Sequence, residues 1–162
     1  MASYMPTYAA KAFQVGGASG GAGIVTGTDT FKLALITSSI PTGGTRDNAT
    51  EYYGGADFTE VAANGSYSTG GATVALAASQ PAIYTTGSVH YATVGASASN
   101  VSWATTTLAS VLGGILYDNT SSTKWVVAVY DFGGAQSVTS NTFQVNFTSS
   151  YPTYTLWYLS CN

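Results

Sequence analysis

Charge is what this chain has least of. Of its 162 residues only 7% are charged, against roughly 25% in an ordinary soluble domain. The four basic residues, Lys11, Lys32, Arg46 and Lys124, are too few and too scattered to track a phosphate backbone, and a formal charge of −3 opposes one. Nucleic-acid binding is therefore not an expected role. One histidine and one cysteine leave no ligand set for a typical zinc site. Cys161 has no second cysteine in the chain to pair with; a reduced cytosolic thiol is its expected state, with pairing between subunits as the alternative. Apolar runs such as Trp125–Tyr130 are far too short to span a bilayer. The opening residues Met1 to Tyr8 lack both a basic and an apolar segment, so no export signal is expected. The Asn-x-Ser/Thr triplets at Asn48, Asn64, Asn100, Asn119 and Asn146 are accordingly expected to carry no glycan. A helical stripe is missing too; Thr105–Val111 is the one segment where a short helical turn fits.

What is present belongs to a folded protein. The hydrophobic share is 45%, whereas disordered chains combine few hydrophobics with high charge. The length fits one domain with a sizeable core. With so few charges, Ser, Thr, Asn and Gly must coat most of the surface. Near-neutral surfaces favour association, which suits a subunit docked on neutral neighbours or an extracellular particle.

The chain divides into an arm, a body and a tail. Residues 1–28 contain Gly16-Gly17-Ala18-Ser19-Gly20-Gly21-Ala22-Gly23, a tract with little to bury and much backbone freedom, and a flexible or extended N-terminal arm is expected there. Residues 29–162 are expected to form a single domain. In it Phe31, Leu33 and Leu35 alternate with Lys32, Ala34 and Ile36, and Phe143, Val145 and Phe147 alternate with Gln144 and Asn146, the period of two of a strand. Trp125–Tyr130 is continuously apolar and rich in β-branched and aromatic residues, as in a strand covered on both sides. Weaker strand candidates are Thr73–Ala77, Ile83–Thr86, Val89–Val94, Val101–Thr105 and Leu112–Tyr117. Turn chemistry separates them, at Thr42-Gly43-Gly44, Asn64-Gly65, Gly70-Gly71, Asp118-Asn119 and Gly133-Gly134. Short strands at such spacing predict an all-β, antiparallel β-sandwich or jelly roll. The tail, Tyr151 to Leu159, carries Tyr154, Trp157 and Tyr158. It is either the last core strand or a docking strand covered by another subunit, because aromatics concentrate at interface cores.

Catalytic patterns are weak. Gly17-Ala18-Ser19-Gly20-Gly21 spells G-x-S-x-G but lacks the flanking strand and helix of a nucleophile elbow. His90, beside Tyr91, reads as a packed or interfacial residue. Asp131-Phe132-Gly133 spells a kinase triplet without the rest of a kinase and reads as a structural turn. Glu51, Asp57 and Glu60 lie close together, but calcium needs six to eight oxygens, and a solvated loop is the expected reading. No catalytic, cofactor-binding or metal residue is assigned.

Several segments taken in order carry a resemblance. They are Phe31 to Ser38, Asp47, Glu60, Gly65 to Ala72, Val101 to Ala104, Gly113 to Asp118, Val129 to Gly134 and Phe143 to Phe147. This succession, over residues 30–148, resembles small structural proteins encoded in the genomes of tailed bacteriophages, often near the head genes. The resemblance implies a non-enzymatic virion component made in the host bacterial cytoplasm: a capsid cement (decoration) protein on the capsid surface. Its implied partners are the major capsid protein and itself, as a homodimer or homotrimer, with no nucleic acid, membrane or cofactor. The residues expected at contacts are Tyr4, Tyr8, Phe13, Tyr52, Tyr53, Tyr151, Tyr154, Trp157 and Tyr158. The alternative is a tail or fibre protein binding host-surface glycan, with Tyr52 and Tyr53 as a stacking platform. A small hydrolase using the scattered acids is a third class.

Overall fold

Val126–Val145 and Val101–Asp118 are two long runs dense in Val, Thr, Tyr and Phe, residues that fit a pleated, half-buried surface, and they pair as one long hairpin. The structure is a computed structural model that describes residues 2–4, 28–38, 53–54, 58–78, 82–86, 89–93, 96–98, 100–147 and 159–161, with the backbone path alone described in 2–4, 76–78, 82–86, 89–93, 96–98 and 159–161. Ten strands occur among these residues and no helix. They are β1 (Ala2–Tyr4), β2 (Phe31–Ile36), β3 (Ala72–Val74), β4 (Leu76–Ala78), β5 (Ala82–Thr86), β6 (Val89–Thr93), β7 (Ala96–Ala98), β8 (Val101–Asp118), β9 (Val126–Val145) and β10 (Leu159–Cys161).

The main sheet is antiparallel, in the order β1-β9-β8-β2-β3. Backbone pairing also joins β5, β6 and β10 in a three-stranded sheet and β4 with β7. Among the described residues, an all-β arrangement built on an antiparallel sheet is what the alternation predicted. The Glu51, Asp57, Tyr8, Phe13, Tyr52, Tyr151, Tyr154, Trp157 and Tyr158 positions and the Gly-rich tract lie outside the described residues.

The sheet's centre is covered on both faces. Phe31, Leu33, Leu35, Leu116 and Val127 pack in one apolar cluster, and Ile36, Ile115, Val126 and Val129 pack in another, with Phe58 partly buried against it. Thus Trp125–Tyr130 is the doubly covered strand the sequence suggested. Lys32, Ala34 and Ile36 are not a solvent face, since Ala34 and Ile36 are fully buried. Towards its open end the hairpin has one wet face. Val101, Trp103, Thr106, Leu108, Val111, Phe143 and Val145 are buried, while Ser102, Ala104, Thr107, Gln144 and Asn146 are exposed. An aromatic series lines the buried side: Tyr67 to Trp103 at 5.4 Å, Trp103 to Phe143 at 6.3 Å and Phe143 to Phe132 at 6.3 Å between ring centroids. Each such pair is worth about 0.5–1.5 kcal/mol beyond the area it buries.

The two strand candidates Val101–Thr105 and Leu112–Tyr117 are one strand, and Thr105–Val111 between them is bulged strand rather than a helical turn. Pairing steps from Trp103–Phe143 to Thr106–Asn141, then to Leu108–Val138, Val111–Gln136 and Gly113–Asp131. The extra residues fall on β8, β9, β8 and β9 in turn. Each of these four bulges holds a left-handed residue: Thr105 (φ 50°), Ser140 (φ 48°), Ser110 (φ 55°), and the pair Gly133 (φ 77°) and Gly134 (φ 150°), while a fifth shift, between Leu116 and Tyr117, holds none. Such a backbone is rare for any residue but glycine. At the two serines, hydroxyls support it. The Ser110 N–H donates to Ser137 Oγ at 3.1 Å and the Ser140 N–H to Thr107 Oγ1 at 3.0 Å, supplying acceptors that the interrupted ladder no longer offers. Asp131-Phe132-Gly133 begins the glycine bulge, with the Gly133 N–H on Asp131 Oδ1 at 2.8 Å; Gly133-Gly134 is thus a bulge inside the continuous β9 and not the strand-separating turn expected from the sequence.

Candidate functional site

The Thr105 bulge is also where a neighbouring turn plugs in. Asn64 and Tyr67 exchange backbone hydrogen bonds around Gly65-Ser66, a two-residue turn with a left-handed first position, which glycine supplies without cost. Thr106 Oγ1 donates to Asn64 O, Ser66 Oγ donates to Ala104 O, and the Thr107 N–H donates to Asn64 Oδ1 at 2.9 Å. This docking fixes the next residue, Tyr67, whose ring is buried against Trp103.

Glu60 is positioned from the other side. The Thr37 N–H donates to Thr59 O and the Val61 N–H to Leu35 O, both at 2.9 Å, so Glu60 lies opposite Ile36 in a short antiparallel bridge continuing the edge of β2. Its carboxylate collects three donors. Tyr67 Oη donates to Oε1 at 2.7 Å, the Gly70 N–H donates to Oε1 at 2.6 Å, and Tyr53 Oη donates to Oε2. Tyr67 Oη in turn accepts the Leu35 N–H at 2.9 Å, and Tyr117 Oη donates to Gly70 O at 2.8 Å. The Tyr53 ring stacks on Tyr117, with centroids 4.2 Å apart and planes 7° apart, and the Lys124 ammonium stands 5.5 Å from the Tyr53 centroid. Tyr53 is anchored by its backbone as well, its N–H on Lys124 O at 2.9 Å.

One carboxylate and three tyrosines therefore tie together the Tyr53 segment, the 58–71 segment, β2, β8 and the β8–β9 loop. The electrostatics follow from burial beside a negative charge. Desolvation, then the Glu60 hydrogen bond, push the Tyr67 and Tyr53 hydroxyls above the usual tyrosine range. Desolvation, then the Glu60 charge, push Tyr117 up to about 12. All three stay neutral donors at neutral pH, as the carboxylate requires.

Two other polar groups sit in the apolar interior. Asp118 is 2% exposed; its Oδ1 accepts the Thr120 N–H at 2.8 Å and the Ser121 N–H at 3.3 Å, which closes the start of the β8–β9 loop. Burial raises its pKa, partly offset by those hydrogen bonds. The Tyr130 hydroxyl is buried with no hydrogen-bond partner among the described residues, and burial pushes its pKa far up.

Of the contact residues expected from the sequence, Tyr53 lies in the Glu60 cluster with its ring stacked on Tyr117. Tyr4 closes β1, opposite Val129. Glu60 is not the acid of a solvated loop but the acceptor at the centre of the cluster, and no group of three or more metal-ligating side chains occurs among the described residues. His90 and Cys161 are register partners across β6 and β10. Sequence reasoning gave Tyr67 and Tyr117 no role. Tyr53 and Tyr67 each lie seven residues from Glu60, a symmetric spacing that could have drawn attention, although it matches no single-element period. Compared with known proteins, the chain matches no family model, no curated protein and no solved structure.

Proposed function

We propose that this protein is a bacteriophage capsid cement (decoration) protein that binds the outer capsid lattice and stabilises the head. The observation that carries the reading is the open end of the β8–β9 hairpin. From Val101 to Tyr117 and from Phe132 to Phe147 there is no charged residue, yet one face of this ribbon is exposed and made of Ser, Thr, Asn, Gln, Ala and Gly. A neighbour covering such a face desolvates no ion, and short hydroxyl and amide groups can be re-paired across the contact. Strand addition along the ribbon's edge has less support, because repeated bulges break a straight ladder. Docking is by the face.

In this reading the chain is a homodimer or homotrimer on the virion surface, in contact with the major capsid protein. It acts by clamping rather than by catalysis, and many weak contacts add up across a repeating lattice. The remaining architecture in this proposal is a sandwich or jelly roll with an extended Gly-rich arm over residues 1–28.

The test is the copy number of the chain in purified particles, by quantitative mass spectrometry against the major capsid protein. A ratio near one, or a simple fraction of it, supports the lattice role. A handful of copies moves the protein to the tail or fibre, and absence overturns the virion reading. On emptied capsids, Gln144→Lys is expected to abolish binding while leaving the melting temperature unchanged, because Gln144 is exposed on this face.

A further inference from the structure

We propose that Asn64 is a deamidation site held shut by the docking of its own turn, and that its conversion to isoaspartate makes the loss of docking irreversible. The inference is independent of the capsid reading. It starts from Asn64-Gly65, the one Asn-Gly pair in the sequence, which lies exposed in the turn seated on β8.

The chemistry needs only water. The Gly65 nitrogen gives up its proton to solvent and attacks the Asn64 side-chain carbon Cγ. A C–N bond forms, the Cγ–Nδ2 bond breaks, and Nδ2 takes up a proton and leaves as ammonia. The product is a five-membered succinimide ring that joins the Asn64 side chain to the Gly65 nitrogen. Water then opens the ring at one carbonyl or the other. One product is aspartate at position 64; the other is isoaspartate, in which the main chain runs through the former side chain. Glycine favours ring closure because it puts no side chain beside the attacking nitrogen.

Docking opposes each movement that closure needs. The ring requires the Gly65 nitrogen to turn nearly into line with the Asn64 Cβ, whereas an extended residue holds the next nitrogen turned away from its own side chain. Asn64 is extended, opposite Tyr67 in an antiparallel bridge. The Asn64 N–H donates to Tyr67 O and the Tyr67 N–H to Asn64 O, both at 3.0 Å. Thr106 Oγ1 donates to the same Asn64 carbonyl, which must swing if the Gly65 nitrogen is to move. The carboxamide is held as well, because its Oδ1 accepts the Thr107 N–H at 2.9 Å. Deamidation therefore waits for the turn to lift.

The two products then differ. Aspartate keeps an oxygen for the Thr107 N–H, and its turn reseats. Isoaspartate adds a carbon to the main chain between the Asn64 Cα and the Gly65 nitrogen, where the fit is already tight. A single Cβ on Gly65 would lie 2.2 Å from Thr105 O and 2.8 Å from Thr106 Cα. The isoaspartate turn stays off, and Tyr67 loses the docking that places its ring against Trp103.

The experiment follows conversion of Asn64 on the full chain in mildly alkaline buffer, by peptide mass spectrometry, with isoaspartate scored by an isoaspartyl methyltransferase. The folded wild type is expected to convert at least about tenfold more slowly than the chain in urea. Ser66→Ala removes the hydroxyl bond to Ala104 O, and Thr106→Val removes the one to Asn64 O. Each is expected to speed conversion in the folded chain by about three- to tenfold, the size of one hydrogen bond. Gly133→Ala, which strains the hairpin away from the turn, is expected to leave the rate unchanged, because the opening is local. Hydrogen exchange reads the products: the Thr107 amide loses protection in chains carrying isoaspartate and keeps it in Asn64→Asp. Folded wild type that converts as fast as the chain in urea overturns the proposal. So does a Ser66→Ala rate no higher than that of Gly133→Ala, or an isoaspartate form in which Thr107 stays protected. If Thr106→Val does not fold, Ser66→Ala decides alone.

Discussion

Tyr130 shows what a single polar atom costs in this interior. It is 4% exposed, its ring meets Phe147 edge-on at 5.3 Å, and its hydroxyl has no partner among the described residues. Burying a hydroxyl without a hydrogen bond costs about 1–3 kcal/mol, so Tyr130→Phe is expected to raise stability by about 1 kcal/mol, read from chemical denaturation at unchanged m-value. A loss instead would mean that the hydroxyl is paired after all. Tyr67 is the opposite case. Equally buried, it donates to Glu60 and accepts from Leu35. Tyr130 closes an apolar run while Tyr67 stands between Ser66 and Ser68, and neither setting tells which hydroxyl finds a partner. The difference lies in which backbone and carboxylate groups the fold brings to each hydroxyl.

At the scale of the element, the β8–β9 hairpin is held together by its irregularities. Five register shifts interrupt the long ribbon, four of them at left-handed residues; the Ser110 and Ser140 amides find hydroxyls there and the Gly133 amide finds the Asp131 carboxylate. Gly65 and Gly133 separate two reasons for glycine. Both have positive φ, 58° and 77°, but a Cβ on Gly65 would lie 2.2 Å from Thr105 O, whereas one on Gly133 would meet nothing within 4 Å. Gly133→Ala is therefore expected to cost about 1 kcal/mol of backbone strain. Gly65→Ala is expected to cost more, about 2–4 kcal/mol, because it also forces the turn off the Thr105 bulge. Thermal melts of both variants check this, and equal costs would show that the turn is not seated on the bulge. The alternation of Phe143, Gln144, Val145 and Asn146 was legible in the sequence and holds in the burial. The bulges were not legible, since Thr105, Ser110 and Ser140 are poor left-handed residues. Cross-strand hydroxyls accept from the Ser110 and Ser140 amides, so the Ser and Thr that read as surface coating partly serve this purpose.

At the scale of the whole molecule, the buried tyrosines set the alkaline limit. Tyr117 is pushed up to about 12, and Tyr53, Tyr67 and Tyr130 are raised as well. In the unfolded chain tyrosine ionises near 10. A raised folded pKa contributes stability that is present below about pH 10 and is lost as the pH climbs through the folded value. The expected outcome is cooperative loss of the far-UV sheet signal above about pH 10, together with a late rise in tyrosinate absorbance from the buried set. Tyrosinate formation from that set with the sheet intact would show that these hydroxyls are open to solvent.

The sequence by itself determined the strand class, because a period of two with β-branched and aromatic residues can bury a face only as a sheet. It determined the neutral surface too, since charge is a count that folding does not change. Tertiary structure alone decided that β2 is covered on both faces, that two strand candidates form one bulged strand, and that Glu60 is a hub. The physical reason is common to all three: each depends on which distant backbone amides, carbonyls and hydroxyls meet, and such meetings are set by register and docking between segments that no local pattern encodes.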